Sequence, residues 1–459
     1  MLNRIEARNF KSFKHLDYKC ARLNLLTGLN GAGKSSFLQL LLLLRAIADR
    51  VGKCQIDVDL QKIGIAKSFD DIRYCYAAKD EPTSFSVMIP EAILDGDGEV
   101  SDGSKLMVVD RRITKSATSR HNAIIWHPDA LGEYARYKDK ESTTLDSLFD
   151  EKIGEKESDD ILQRNEEALS AGISKIEKDL VRLQGQCRNV CRRIRFVEAS
   201  RGKPQDVHEG RGITFASVLL GSDEFEPEGG DVVEFLHKAG PKVFLRKDNA
   251  MIHPQGKIVS DHMGEISLLI DQVNAWLGEI SPGARFISER CEFWEDESFI
   301  AKIGFGEDTN EKMFKLKNVG FGISVVLPVL VHLLTARPRT IVVIENPEAH
   351  IHPRGQAKLG ELIARAAAFG VQVFVETHSD HVINGIRVAV RDGILKPEDV
   401  NIAFFERKEQ LKENPEDGND MEIFSDVRNI KVDANGSLSE YPEDFMDEWN
   451  NQLMELMKS

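Results

Sequence analysis

The sequence predicts an α/β fold, with a nucleotide-binding core split by a long insertion and followed by a small C-terminal domain. Three observations carry that expectation. Gly28-Leu29-Asn30-Gly31-Ala32-Gly33-Lys34-Ser35 follows the largely apolar run Leu23 to Leu26 and precedes the helical run Phe37 to Ile47. Two further apolar runs, Ile341 to Glu345 and Val371 to Glu376, end in carboxylates and read as buried parallel strands that reach a ligand-binding edge. Finally, the whole span from Lys34 to Glu345 separates the loop from its acidic partner, much farther than in simple P-loop kinases or small GTPases.

Strand, glycine loop and helix start, in that order, turn the G-x-x-x-x-G-K-[ST] pattern into a phosphate cradle. Gly28, Gly31 and Gly33, with Asn30 between them, let backbone N–H groups close on phosphate oxygens, and the helix presents its positive end to the same anion. Lys34 is expected to reach the β- and γ-phosphates. Ser35, followed by Ser36, offers a hydroxyl to Mg²⁺, with Glu345 as the acid on the metal side. ATP and Mg²⁺ are therefore the expected ligands; the bland alternative is a glycine-rich turn that binds nothing. His378, in Thr377-His378-Ser379, lies beyond a strand end, where a γ-phosphate could be sensed.

Composition narrows the class. A chain of 459 residues with 41% hydrophobic and 29% charged residues reads as an ordinary soluble protein with a sizeable core. A net charge of −15 argues against a surface that grips DNA throughout, although a local basic patch could do so. The longest apolar run, Leu40 to Leu44, is far too short to cross a membrane. Arg4 and Glu6 lead straight into strand-like sequence, so no signal peptide is expected. Six cysteines without framework spacing point to a reducing cytoplasm.

The organisation follows from these landmarks. Residues 1–130 are expected as the N-terminal lobe, in which the β-like runs Phe85 to Ile89, Leu106 to Val109 and Ala123 to Trp126 suggest an antiparallel subsheet. Residues 131–285 read as a mainly helical insertion. Within it, Leu162, Leu169, Ile176, Leu183 and Val190 repeat every seven residues, interleaved with Ile173, Leu180, Cys187 and Ile194, so 162–194 is either a projecting coiled coil or an amphipathic helix lying on its own domain. Residues 286–395 form the second lobe, with helices over Gly355 to Ala368 and His381 to Arg391. In 396–459, one buried strand (Ile402 to Phe405) precedes a charged segment, an Asn435-Gly436 hairpin and a helix from Glu443 to Met457.

A second anion site is suggested by Gly320-Phe321-Gly322-Ile323-Ser324 at the start of an apolar helix, against the simpler reading of a tight turn with a serine cap. Pro328 is placed in the first turn or two, where a missing N–H costs least. After Glu345 a second carboxylate would suit water activation, but Asn346 cannot accept a proton. Glu348 is then the candidate base or a structural carboxylate. His350 and His352 favour hydrogen-bonding or dimer-contact roles over a metal pair, and Cys187 with Cys191 favours packing over zinc. The basic run Arg182, Arg188, Arg192, Arg193, Arg195, Arg201, Lys203 and Arg211 reads either as a solvated face or as a contact for nucleic acid, phosphate or a partner.

Taken together, Asn3 to Phe13, the P-loop, Asn318 to Ser324, Glu345 to Pro353 and Glu376 to Ser379 resemble ABC-type ATPases of the SMC, RecF and OLD kind. Ile194 to Pro204 and Asn274 to Leu277 are similar as well. Val432 to Gly436 and Asp444 to Trp449 resemble the C-terminal domain known as DUF3696. The resemblance implies an ABC-type ATPase head working as a homodimer or higher homo-oligomer. In it, the segment carrying Gly320, Gly322 and Ser324 would reach the nucleotide of a second subunit. It further implies a role in bacterial anti-phage defence beside a separately encoded nuclease or toxin; slow hydrolysis is expected because Asn346 cannot act as a base. A RecF-like repair ATPase and a non-hydrolysing scaffold are the alternatives. OLD-type nucleases carry a Toprim domain after the ATPase. The roughly eighty residues after His378 are few for one, so no intrinsic nuclease is expected, and Asp417, Asp420, Glu422 and Asp426 are read as solvated, loop-like acids.

Overall fold

The computed structural model describes residues 1–46, 55–58, 60–67, 70–77, 81, 83–90, 106–115, 122–126, 190–199, 208–209, 230–241, 244–245, 267–291, 298–306, 312–412 and 421–458. In chain order the first elements are β1 (Arg4–Phe10), β2 (Phe13–Lys19), β3 (Leu23–Gly28), α1 (Lys34–Ala46), β4 (Gln55–Val58), β5 (Thr83–Pro90), β6 (Leu106–Lys115) and β7 (Asn122–Trp126). There follow β8 (Ile194–Val197), β9 (His208–Glu209), α2 (Gly230–Ala239), β10 (Phe244–Leu245), β11 (Ser267–Leu268), α3 (Leu269–Ile280), β12 (Ala284–Arg290), β13 (Ser298–Phe305) and β14 (Phe314–Lys315). The last are α4 (Phe321–Leu334), β15 (Ile341–Glu345), α5 (Pro353–Ala368), β16 (Gln372–Glu376), α6 (Asp380–Arg391), β17 (Val400–Leu411), β18 (Met421–Ile430) and α7 (Glu448–Leu456). None of the described helices is long and apolar enough to cross a membrane.

Two compact units result. One holds Leu2–Lys19 and Gln39–Arg192. Its sheet runs β2-β1-β5-β6-β7-β4 with every pairing antiparallel. Alternation builds it: Ile5, Ala7 and Phe10 of β1 and Phe13, Leu16 and Tyr18 of β2 are buried, while the residues between them face outward in whole or part. Asn9 and Lys11 take left-handed backbone at the turn between these strands. Lys11 then donates to Ile65 O at 2.6 Å and to the Gln39 side chain. This is the antiparallel subsheet that the sequence predicts.

The other unit holds Met1, Cys20–Leu38 and Arg193–Ser459. Its sheet runs β18-β17-β3-β16-β15-β8. The five strands from β17 to β8 are parallel, and β18 returns antiparallel along β17. β3 and β16 are buried along their whole length, and only Glu345 of β15 emerges, which explains their continuous apolar sequences. Phe37 at the start of α1 packs on Phe374 and Phe405, with ring centroids 6.1 and 5.9 Å apart. A smaller antiparallel sheet, β12-β13-β14 with β9 beside β13, packs through Phe286 and Phe299 into the core that holds Trp276 of α3. The Asn274 side chain ties α3 to β12, accepting from Phe286 N at 2.8 Å and donating to its carbonyl at 3.3 Å.

Several expectations are revised. The span 131–285, read as a mainly helical insertion, supplies a strand to the parallel sheet, because Ile194, Phe196 and Val197 are buried in β8 beside β15. Ile194 is therefore not a heptad position; residues 162–189 of that segment, with Cys187, Arg182 and Arg188, lie outside the described residues. So do Arg201, Lys203 and Arg211. Cys191 is buried, and the Arg195 guanidinium donates to Thr335 Oγ1 at 3.1 Å, which gives one member of the basic run a packing role. Pro328 sits near the middle of α4 rather than in its first turn or two. Residues 396–459 extend the parallel sheet itself through β17 and β18. Glu422 and Asp426 are strand residues of β18, where Gln410 and Lys408 across the ribbon pair with them; Asp417 and Asp420 lie outside the described residues. The turn at Asn435-Gly436 forms, closed by a Val432↔Leu438 bridge, and the final helix is shorter than expected.

Candidate nucleotide site

β3 delivers the loop at the carboxyl edge of the sheet. Gly28 has φ 126° and lies in register with Phe405 of β17, so close that any side chain at this position would clash with the Phe405 carbonyl. Gly31 (φ 74°) and Gly33 (φ 107°) also occupy backbone that favours glycine. Ala32 N–H donates to Leu29 O at 3.2 Å to close the turn, and Phe37 N–H donates to Gly33 O at 3.0 Å as α1 begins. Lys34 is buried, and its ammonium donates to Gly28 O at 2.8 Å and Leu29 O at 2.9 Å. Burial pulls its pKa down, while Glu376 pulls it back up. The chain thus holds the lysine against its own loop.

The acidic edge has two members. Glu345 ends β15 and Glu376 ends β16, in register with each other. Ser35 Oγ donates to Glu376 Oε1 at 3.5 Å, whereas Glu345 Oε2 accepts from Ala199 N at 3.0 Å. Burial raises the Glu376 pKa; Lys34 opposes that shift, and Glu345 reinforces it. Ser35 thus bonds to the carboxylate of Glu376, where the sequence points to Glu345 as the acid on the metal side. The signal for Glu376 was present: a carboxylate closing a fully buried strand.

The turn after β15 explains Asn346. Its φ of 41° is left-handed, where asparagine is tolerated better than most side chains. Its N–H donates to Glu376 O at 2.8 Å, and its buried Oδ1 has no hydrogen-bond partner among the described residues. Glu348 is held by one oxygen only. Oε1 accepts from the His378 N–H at 2.8 Å, and the buried Oε2 has no partner among the described residues. His378 itself is positioned by its neighbours. Thr377 is buried, its Oγ1 accepting from Ser379 N, and Ser379 Oγ caps α6 by accepting from His381 N and Val382 N at 3.1 Å each. Partial burial and then Lys34 lower the His378 pKa, while Glu348 opposes them.

Gly320, Gly322 and Ser324 open α4, but the cap is Gly320 without any side-chain bond, so the serine-cap reading does not hold. Ser324 Oγ is buried and has no partner among the described residues. The segment packs on the turn after β15: a side chain on Gly322 would clash with His350 O, and the Phe321 ring meets the His350 ring edge-on at 4.9 Å. His352 caps α5, its Nδ1 accepting from Arg354 N at 3.3 Å. A cleft of about 430 Å³ opens beside Gly320, Gly322, Ile323 and His350. The structure therefore gathers Lys34, Ser35, Glu345, Glu348 and His378 at one edge, with Asn30 and Ser36 in the loop and first turn. The glycine segment joins them through residues 346–352.

The family model described as "AAA domain, putative AbiEii toxin, Type IV TA system" matches residues 23–384. The chain belongs to this family. A second model, "Protein of unknown function (DUF3696)", matches residues 395–456 of this AAA-domain ATPase. No curated protein matches the sequence. Among solved structures, the chain is similar to an Smc head bound to the C-terminal winged-helix domain of ScpA, at 12% identity, covering 94% of this chain and 98% of that one, with a TM-score of 0.43. It is also similar to an Smc head with an extended coiled coil, bound to the C-terminal domain of ScpA, from Pyrococcus furiosus (12% identity, 100% and 99% covered, TM-score 0.39). A third is the SMC head domain from Thermotoga maritima (9%, 94% and 99%, 0.38).

An AAA-type ATPase implies a nucleotide and a divalent ion, and the residues present fit both. Gly28, Gly31 and Gly33 hold the positive-φ backbone that a phosphate-binding loop uses, and the buried Glu348 Oε2 and Asn346 Oδ1, without partners among the described residues, lie in the turn after β15. Ser35, Glu345 and Glu376 are the residues that would hold the ion. A bound divalent cation would supply charge neutralisation to the phosphate oxygens.

Proposed function

We propose that this protein is an ATP-operated switch that hydrolyses ATP slowly, with Mg²⁺ held by Ser35 and the paired carboxylates Glu345 and Glu376. Lys34 leaves its loop carbonyls to bind the β- and γ-phosphates. His378 makes a hydrogen bond at the γ-phosphate. Glu348 takes the proton of the attacking water at Oε2, while the His378 N–H fixes Oε1. The observation that carries this reading is the buried, unpartnered Oε2 of Glu348, since an orphaned carboxylate oxygen costs stability unless something else uses it.

The unpartnered Ser324 Oγ supports the same logic for the glycine segment, which completes the nucleotide site of a second copy in a homodimer or higher homo-oligomer. We further infer that the assembly is cytoplasmic and controls a separately encoded nuclease or toxin in anti-phage defence, without cutting nucleic acid itself. The description of the matching family as a putative toxin of a Type IV TA system supports a role in a system of that kind.

Two experiments test the proposal. Phosphate release by wild type, Glu348→Gln and Lys34→Ala, beside calorimetric ATP affinity, should show binding without turnover in the first variant and neither in the second. Wild-type turnover in Glu348→Gln would remove Glu348 as the base. Phage plating with and without the neighbouring gene should show protection only with both; protection by this chain alone would refute control of a separate effector.

A further inference from the structure

The C-terminal ribbon reaches the P-loop. β17 runs parallel to β3 from Val400↔Leu23 to Phe405↔Gly28, so Arg407 lies two residues further on, level with the loop. Its Nε donates to Gly31 O at 3.1 Å, and its terminal nitrogen fills the space over Gly31 where any side chain would clash.

That bond acts on the loop through the geometry of one peptide. In a trans peptide the C=O and the following N–H point in opposite directions. Holding Gly31 O toward β17 therefore turns the Ala32 N–H to the other side, where it donates to Leu29 O. Leu29 O also accepts from Lys34. Arg407, Gly31, Ala32, Leu29 and Lys34 thus form one chain of hydrogen bonds, and its far end is the cation that must move to meet phosphate.

We propose that Arg407 is a positioning residue of the nucleotide site, and that through it ATP occupancy is coupled to the β17–β18 ribbon. This rests on the ATP reading above. Arg407 stands opposite Ser425 in β18, flanked by the cross-strand pairs Lys408 with Asp426 and Arg428 with Glu406. A shift at Arg407 is passed to the strand that leads to the exposed terminal helix α7, with Trp449 71% accessible. Coupling of this kind is reciprocal, so whatever binds the C-terminal segment should alter ATP affinity in turn.

Arg407 is exposed, so Arg407→Ala should fold. Calorimetry with ATP and Mg²⁺, steady-state phosphate release, and amide exchange of residues 421–430 with and without ATP should be run on wild type, Lys34→Ala, Arg407→Ala and Arg407→Lys. In Arg407→Ala we expect affinity weakened about tenfold, the scale of one hydrogen bond from a charged donor, with KM raised and kcat retained. The ATP-induced protection of 421–430 should be lost. Lysine, which cannot reproduce the directed Nε bond, should rescue little. Wild-type affinity and protection in Arg407→Ala would overturn the proposal while leaving the site intact. If wild-type protein bound no ATP, the nucleotide reading would fall first and this proposal with it.

Discussion

The two glycine segments of the molecule are held in opposite ways. In the P-loop, the carbonyls of Gly28, Leu29 and Gly31 all accept hydrogen bonds from the chain's own cations, and Lys34 is buried against them. At the start of α4, Gly320 is exposed, the cap has no side-chain bond, and Ser324 Oγ is buried with no partner. One segment is complete in itself; the other holds a hydroxyl, Ser324 Oγ, that has no partner among the described residues. The difference teaches where each partner comes from. A self-satisfied loop needs only a ligand stronger than its own carbonyls. An unsatisfied helix start needs a group from outside.

The largest expected effect tests the first half. Lys34→Ala removes the cation held in the cradle and should weaken ATP binding by at least about a hundredfold, as the loss of a buried charge-assisted contact implies; equal affinity in calorimetry would sink the assignment. Next in size is chemistry. Wild-type turnover should stay below the ~10 s⁻¹ enzyme median, and Glu348→Gln should lower kcat by about 10²–10⁴-fold, the range for a general base, while ATP still binds. Glu345→Gln and Glu376→Gln should both impair Mg²⁺-dependent turnover. If only Glu345→Gln did, the nearness of Ser35 to Glu376 would have no functional meaning.

Ser324→Arg sharpens the other half. It should reduce turnover and ATP-dependent association, measured by mass with and without ATP, and spare ATP binding by the monomer. The smallest effect concerns pH. Because burial raises the folded-state pKa of Glu376, the folded protein holds more protons than the unfolded chain between the two values. Nucleotide-free stability should therefore fall as pH rises from the ordinary glutamate value through the folded one. Glu376→Gln should flatten that slope and raise the Tm at neutral pH. An unchanged slope in calorimetric scans would show that Lys34 already neutralises the carboxylate.

Much of the fold was legible because its signals are local. The P-loop glycines are fixed by backbone angles that other residues avoid, and β3, β15 and β16 are apolar throughout because both faces are covered. What the sequence concealed depends on long-range pairing. Glu376 lies beside Glu345 only through the β15–β16 register, and Arg407 meets Gly31 only because β17 joins β3. Asn346 reads as a missing carboxylate in sequence, yet its left-handed backbone is a tertiary fact. Ile194 fits a seven-residue repeat as well as it fits β8, since four residues cannot separate the two periods. The β17–β18 ribbon carries charges on its outward positions, so its far end reads as loop.

The contrast between the two glycine segments has one direct test. Lys34→Ala has a dead cradle and an intact glycine segment; Ser324→Arg has the reverse. Each should be nearly inactive alone in phosphate release. Mixed and allowed to exchange subunits, they should recover turnover, because the intact P-loop of one copy then meets the intact Ser324 of the other. Mixtures with no more activity than the separate variants would contradict a nucleotide site completed between copies.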